Sequence, residues 1–332
     1  MVINNHSLIN RFNDLHTLFL KPLSLYKQYN IFMKIGLIGI NSIKEEDKFE
    51  LIQQTLKHNL FALFSPHFDD MHIFAKKYNM KVYSSANNLF MDVDAIYFAN
   101  SLKPNIDFAI QALKNSCHLF IENISELSIE EIKQLYKLAF EARVQLVIKE
   151  TILFTPEFKL IAEEITASKI IEIEYLFNHF LRKQNYFYET YEAVRVVSAC
   201  IQSGIKKITT TPVEIEPNLL SFVFILLEFD NGSVAKIKLN NLASENDKKV
   251  EIYETSDFFE INFTKHYAYR NTFIKGHTER KELKLGQIDA FNLEMENFIH
   301  QSKKIKTLNI SESPQILEDI KATQLIIQKI YN

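Results

Sequence analysis

The chain has 332 residues, of which 47% are hydrophobic and 24% charged, with a formal net charge of -3. That length suits two domains rather than one core. The near-neutral balance, without runs of like charge, argues against a nucleic-acid partner, and no stretch reaches about 18 uninterrupted apolar residues, so no membrane span is expected.

The first residues contain "LFLKPLSL", interrupted by Lys21 and Pro22, with no small-residue cleavage site after it. The domain pattern begins at Met33-Lys34, so residues 1–32 read as an N-terminal extension. "KIGLIGI" (34–40) is a short buried strand, and "KEEDKFELIQQTLKH" follows at helical spacing. "NLFALFS" is a second strand, "DDMHIFAKKYN" a second helix and "MKVYSS" a short strand or extended link. "NNLFMDVDAIYFAN" holds a helical turn and then a strand, and "NIDFAIQALKNS" is helical. "CHLFIEN", the capped helix "SIEEIKQLYKLAFEAR" and the strand "VQLVIKE" complete residues 33–150. Alternation with short links predicts a Rossmann-type parallel sheet covered on both faces.

Near residue 150 the rhythm changes. The helix "TPEFKLIAEEI" precedes a long alternating strand, "KIIEIEYLFNHF", and a helix is expected over Tyr188–Ser203. "LLSFVFILLEFDNGSVAKIKLNN" is a hairpin whose Asp230-Asn231-Gly232 turn suits positive φ angles. Strands "KVEIYET" and "DFFEINF" follow, and two helices close the chain. Residues 151–332 therefore read as a C-terminal α+β domain with an open, mostly antiparallel sheet, and the whole chain as α/β. The cysteines Cys117 and Cys200 show no metal-ligand spacing, so reduced thiols in the cytoplasm are expected. The histidines, among them His67, His72, His118, His179 and His266, show no paired spacing, so no metal site is expected.

The order of these stretches resembles the Gfo/Idh/MocA family, which includes glucose–fructose oxidoreductase and inositol dehydrogenase. "KIGLIGINSI" sits where that family has its first strand and glycine loop, and "DVDAIYFANSLKPNIDFAIQAL" matches its Val-Asp-Ala-Val stretch and following loop. "SCHLFIEN" matches the strand that ends in Glu-Lys-Pro, "LFTPEF" keeps the Phe-x-Pro of the domain crossover, and "AFNLEMENFIHQ" with "SPQILEDIKATQLIIQKIY" resembles the closing helices. The resemblance spans about residues 33–332. It implies an NAD- or NADP-dependent oxidoreductase acting on a sugar, cyclitol or similar polyol, with a homo-oligomer formed through the C-terminal sheet, whose Phe222, Phe224 and Leu226 alternation would leave apolar residues exposed in a monomer.

Each family position can be set against this chain. A dinucleotide loop needs glycines for the tight turn, for close approach of the pyrophosphate and for helix packing. The implied cofactor positions are Gly39, Ile40, Asn41, Ser42, Ile43, Ser65, Ala99, Asn100, Ser101, Asn105 and Glu122. Only Gly39 keeps a glycine of the loop, since Asn41 and Lys44 stand at the other two places. Glu45, Glu46 and Asp47 fall in the first turn of the following helix, where they act as ordinary helix-capping charges and oppose a pyrophosphate. Ser65 stands where NAD-preferring enzymes carry an acid, and Asp69 and Asp70 oppose a 2′-phosphate.

The implied catalytic positions are Glu122, which is kept, Asn123 in place of the lysine that relays the hydroxyl proton, and Tyr188, Glu192 and Arg195 in place of an Asp-x-x-x-His-x-x-Asp helix face. An amide neither gives nor takes a proton near neutral pH, and losing a placed acid–base group costs about 10²–10⁴ in rate. Lys149 and Glu150, at the last strand's end, are the nearest local replacements, while Glu192 and Arg195 read equally as a solvated pair. Together the exchanges favour a non-catalytic or repurposed binding or partner subunit, with an active paralogue as one partner to consider. The alternative is an active NAD(P)-dependent oxidoreductase on a small sugar-like molecule.

Overall fold

In a computed structural model the described residues are 32–66, 71–166, 168–216, 219–304 and 314–331. The expected N-terminal extension, apart from Phe32, and His67, Asp69 and Asp70 lie outside them. The chain divides into two compact units, one of residues 32–151 with 289–304 and 314–317, the other of 152–288 with 318–331.

The first unit holds six strands, β1 (Ile35–Ile38), β2 (Leu60–Phe64), β3 (Lys81–Val82), β4 (Ala95–Ser101), β5 (His118–Asn123) and β6 (Leu146–Ile148). All pairs are parallel and the order is β3-β2-β1-β4-β5-β6, the doubly wound arrangement. Every residue of β1 is buried, as an all-apolar strand flanked by helices should be. The linking helices are α1 (Glu46–Leu56), α2 (Met71–Lys77), α3 (Ala86–Asp92), α4 (Ile106–Lys114) and α5 (Ile129–Ala142). α5 starts on a capping box: Ser128 Oγ accepts from the Glu131 amide at 3.2 Å while Glu131 accepts from the Ser128 amide at 2.8 Å.

Helix α8 (Ala290–Lys304) also belongs to this unit, although the sequence places it with the second domain. Met295, Phe298 and Ile299 join the buried cluster of Leu37, Phe49, Tyr97 and Phe120, and Phe291 packs against it. The spacing marks an apolar face, but periodicity does not say which surface that face will cover.

The second unit is built on an eight-stranded sheet of β7 (Ile170–Leu176), β8 (Ile205–Glu216), β9 (Leu219–Phe229), β10 (Val234–Asn240), β11 (Asp247–Tyr253), β12 (Asp257–Asn262), β13 (Tyr267–Ile274) and β14 (His277–Glu282). Its order is β14-β13-β12-β11-β7-β10-β9-β8, with β7 and β10 parallel and the other neighbours antiparallel. Ile173 pairs with Ile237 on one side and Val250 on the other, and all three are buried. Helices α6 (Pro156–Ala162), α7 (Lys183–Cys200) and α9 (Pro314–Tyr331) complete the described α-helices. α7 begins at Lys183, five positions before the expected Tyr188, and ends at Cys200. Strands β8, β13 and β14 escape a hydrophobic reading because they lie at or next to the sheet's edges and alternate polar residues; β14 is exposed throughout. Among the described residues no helix is long and apolar enough to cross a membrane.

Candidate functional site

The polar groups of the first unit gather at the carboxyl ends of β1, β2, β4, β5 and β6. At the end of β1, Gly39 has φ +108, and an added Cβ would lie 2.0 Å from the Ala99 carbonyl oxygen, so only glycine fits there. Ile40 and Ala99 are buried beside it. The Asn41 amide donates to Glu45 at 2.6 Å, and Ser65 Oγ, at the end of β2, donates to Asn41 Oδ1 at 3.0 Å. Ser42 is extended and Ile43 exposed at the following turn. The left-handed asparagine at this edge is Asn100 (φ 68), while Asn41 stays out of that region.

Asn100 ties the loop together. Its Nδ2 donates to the Gly39 carbonyl at 2.7 Å and to Glu45 Oε1 at 2.5 Å, and its backbone amide donates to Glu122 at 3.1 Å. Ser101 donates to Glu126, and buried Asn105 closes the turn before α4 through its backbone. Of the three first-turn carboxylates, Glu45 serves the loop, while Glu46 turns to Lys77 (2.5 Å) and Tyr78. The expectation that these charges simply cap the helix is corrected, because chain folding brings Asn100 and α2 within their reach.

Glu122 is the centre of the second half of this edge. It is buried, accepts from Tyr97 at 2.5 Å, and faces Lys48 Nζ at 2.5 Å and Lys149 Nζ at 3.7 Å. Burial alone pushes its pKa up, but Lys48 and Lys149, with the Tyr97 hydroxyl, outweigh that and hold it below the ordinary carboxyl range. Lys48 also donates to Asn100 Oδ1 at 2.6 Å, and Lys149 lies 4.8 Å over the Phe291 ring. Asn123 is turned to a local task, accepting from the Ser125 amide at 2.8 Å. Below Lys149, buried Glu294 accepts from the Glu150 amide at 2.6 Å and Thr151 Oγ1 at 2.5 Å; burial pushes its pKa up to about 7.

The helix-face residues of the second unit take partners from other elements. Glu192, with Glu189, holds Lys248 of β11 at 2.6 and 2.7 Å, and that ammonium lies 4.9 Å over Tyr175. Burial holds the Glu189 carboxyl above its usual range despite Lys248; burial also pulls the Lys248 pKa down, but the two carboxylates outweigh it and push that ammonium up to about 12. Arg195 is only 3% exposed and pairs with Asp319 of α9, which also accepts from Ser198 at 2.7 Å. Glu192 and Arg195, expected as a solvated pair, each hold a charged partner from another element. Tyr188 is half-buried on the same helix. Shared helical spacing put these residues near one another, but their partners come from β11 and α9, far away in sequence.

Sequence reasoning missed Lys48, Tyr97, Glu189, Lys248 and Glu294. Tyr97 carries a faint signal, a polar group inside an apolar strand; the others carry none until α1, β11 and α8 are placed. Among the described residues no three His, Cys, Asp or Glu side chains gather as for a metal ion.

Residues 33–150 match the family described as GFO_IDH_MocA, an oxidoreductase family with an NAD-binding Rossmann fold. Over these residues the chain is similar to that family. Solved structures are similar over nearly the whole chain. UDP-N-acetylglucosamine 3-dehydrogenase GnnA from Acidithiobacillus ferrooxidans matches with a TM-score of 0.79 and 16% identity over 90% of this chain and 98% of its own. The dehydrogenase MviM from Clostridium difficile matches with a TM-score of 0.71 and 17% identity over 90% and 99%. Levoglucosan dehydrogenase, in complex with NADH and L-sorbose, matches with a TM-score of 0.71 and 13% identity over 90% and 97%. At these identities the likeness is one of fold. No curated protein matches the sequence.

Proposed function

We propose that the chain is an NAD(P)-dependent oxidoreductase acting on a CH–OH group of a sugar, cyclitol or related polyol. The observation that carries this reading is buried Glu122, held between Lys48 and Lys149 at the edge where doubly wound sheets receive their ligands. The family match supports it. So do the NADH and L-sorbose in the levoglucosan dehydrogenase complex and the nucleotide-sugar named for GnnA.

Two features of the loop support the dinucleotide reading. Gly39 makes the tight turn, and the Asn41 amide with Asn100 Nδ2 already donates to an anionic carboxylate, the kind of acceptor a diphosphate offers. When bound, the nicotinamide supplies the hydride chemistry. The chain's own residues do the rest in this reading. Gly39, Asn41, Ser65 and Asn100 seat the cofactor, Glu122 and Lys48 orient polar groups at the sheet edge, and Lys149 holds or releases the hydroxyl proton that Asn123 cannot carry.

A second reading, a non-catalytic or repurposed binding or partner subunit, is favoured by the local turn that absorbs Asn123 and by the carboxylate already on the loop. Separate titrations with NADH and NADPH, followed by nucleotide fluorescence, discriminate the two. Micromolar binding is the expected result, and no binding up to about a millimolar by folded protein would favour the second. We also propose a homo-oligomer through the sheet face that carries Phe224 (37% exposed) and Leu226 (36%), and a monomeric elution at micromolar concentration would refute it.

A further inference from the structure

We infer that the Glu45 carboxylate is a built-in plug in the anion seat formed by the Asn41 amide and the Asn100 side chain, which an incoming diphosphate must displace. The inference rests on the dinucleotide reading above and deepens it.

The seat is made before any ligand arrives. Asn100 is fixed in its left-handed conformation by three contacts, to the Gly39 carbonyl, to Glu122 and to Lys48. Its Nδ2 and the Asn41 amide then point two donors at one place, and both oxygens of Glu45 fill it, at 2.6 and 2.5 Å. Glu45 precedes α1, so its charge also lies at the positive end of that helix. These are the interactions a diphosphate uses in a doubly wound fold. The loop has holds besides Glu45: Gly39 packs closely against Ala99, and Asn41 also accepts from Ser65.

A plug of this kind is a competitor inside the molecule. It lowers apparent affinity by the fraction of chains in which the seat is closed, and its charge opposes a phosphate that arrives beside it. A purely structural Glu45 predicts the opposite, because its removal would loosen the loop and weaken any ligand.

The test compares wild type with Glu45→Ala and Glu45→Gln, the second keeping the shape and losing the charge. NADH and NADPH are titrated by fluorescence, and inorganic pyrophosphate by calorimetry and by shift of the melting temperature. Nucleotide binding tightened roughly tenfold or more in Glu45→Ala, with a smaller gain in Glu45→Gln, is expected. Nucleotide binding by wild type that is unchanged or weakened in both variants overturns the plug and leaves the dinucleotide reading standing. No nucleotide binding by any form, with pyrophosphate bound only by the variants, upholds the plug and overturns the dinucleotide reading. No binding of either probe by wild type or by the folded variants overturns both.

Discussion

Two polar clusters invite comparison. In the first unit Glu122 is shared between two lysines that remain 31% and 27% exposed at a sheet edge. In the second, Arg195 and Asp319 are sealed at 3% and 0%. Both hold opposite charges in contact, yet only the edge cluster can exchange its partners with a ligand. A buried pair with no access to water is a packing element, whatever position it takes in a family's pattern. The cluster of Lys248 with Glu189 and Glu192 lies between these extremes, substantially buried but anchored on one ammonium.

The largest expected effect separates the two. Arg195→Ala should destabilise the protein by about 3–5 kcal/mol in denaturant unfolding, because it strands the Asp319 carboxylate. Arg195→Met with Asp319→Leu should recover most of that loss. An Arg195→Ala variant of native stability would dissolve the contrast drawn here.

Glu294 gives the next effect, and its direction is fixed by linkage. Its folded-state pKa, about 7, lies above the ordinary carboxyl value of 4.5, so the folded chain binds that proton more tightly. The corresponding stability is complete below about pH 4.5 and is lost as pH rises to about 7, by up to about 3 kcal/mol. Glu294→Gln should flatten the stability profile across that window, as followed by unfolding at several pH values. A slope unchanged in the variant would assign the dependence to other groups.

The smallest stability change belongs to the edge cluster. Lys149→Met should cost under about 1 kcal/mol in stability, since a half-open pair is well screened. On the proposed function it should lower turnover of a polyol substrate by about 10²-fold or more. A variant that loses neither stability nor activity would remove Lys149 from the proton path.

Much of the fold was legible. The alternation of strands and helices over residues 33–150 follows from runs such as "AIYFAN" and "LFIEN", whose burial on both faces leaves one arrangement open. The α5 cap was written in Ser128 and Glu131, and the β9–β10 hairpin in Asp230-Asn231-Gly232, where Gly232 takes φ +82. The site was less legible. Gly39 and Glu122 could be singled out, but Lys48 lies one α-helix turn past Glu45 and looked like any solvated helix residue. Strand β8, with its lysines and threonines, concealed itself because edge strands need little apolar sequence.

The sequence alone determined where strands and helices form, because hydrophobic period, caps and turn residues act between neighbours in the chain. It also determined that Asn123 is no proton carrier, since that is a property of the amide itself. Only the tertiary structure decided that α8 covers the first sheet, that Arg195 belongs to Asp319, and that Glu45 lies on the Asn41 amide. Those outcomes depend on distances between groups that the chain separates, and charge and hydrogen bonding act over a few ångströms of space rather than along the sequence.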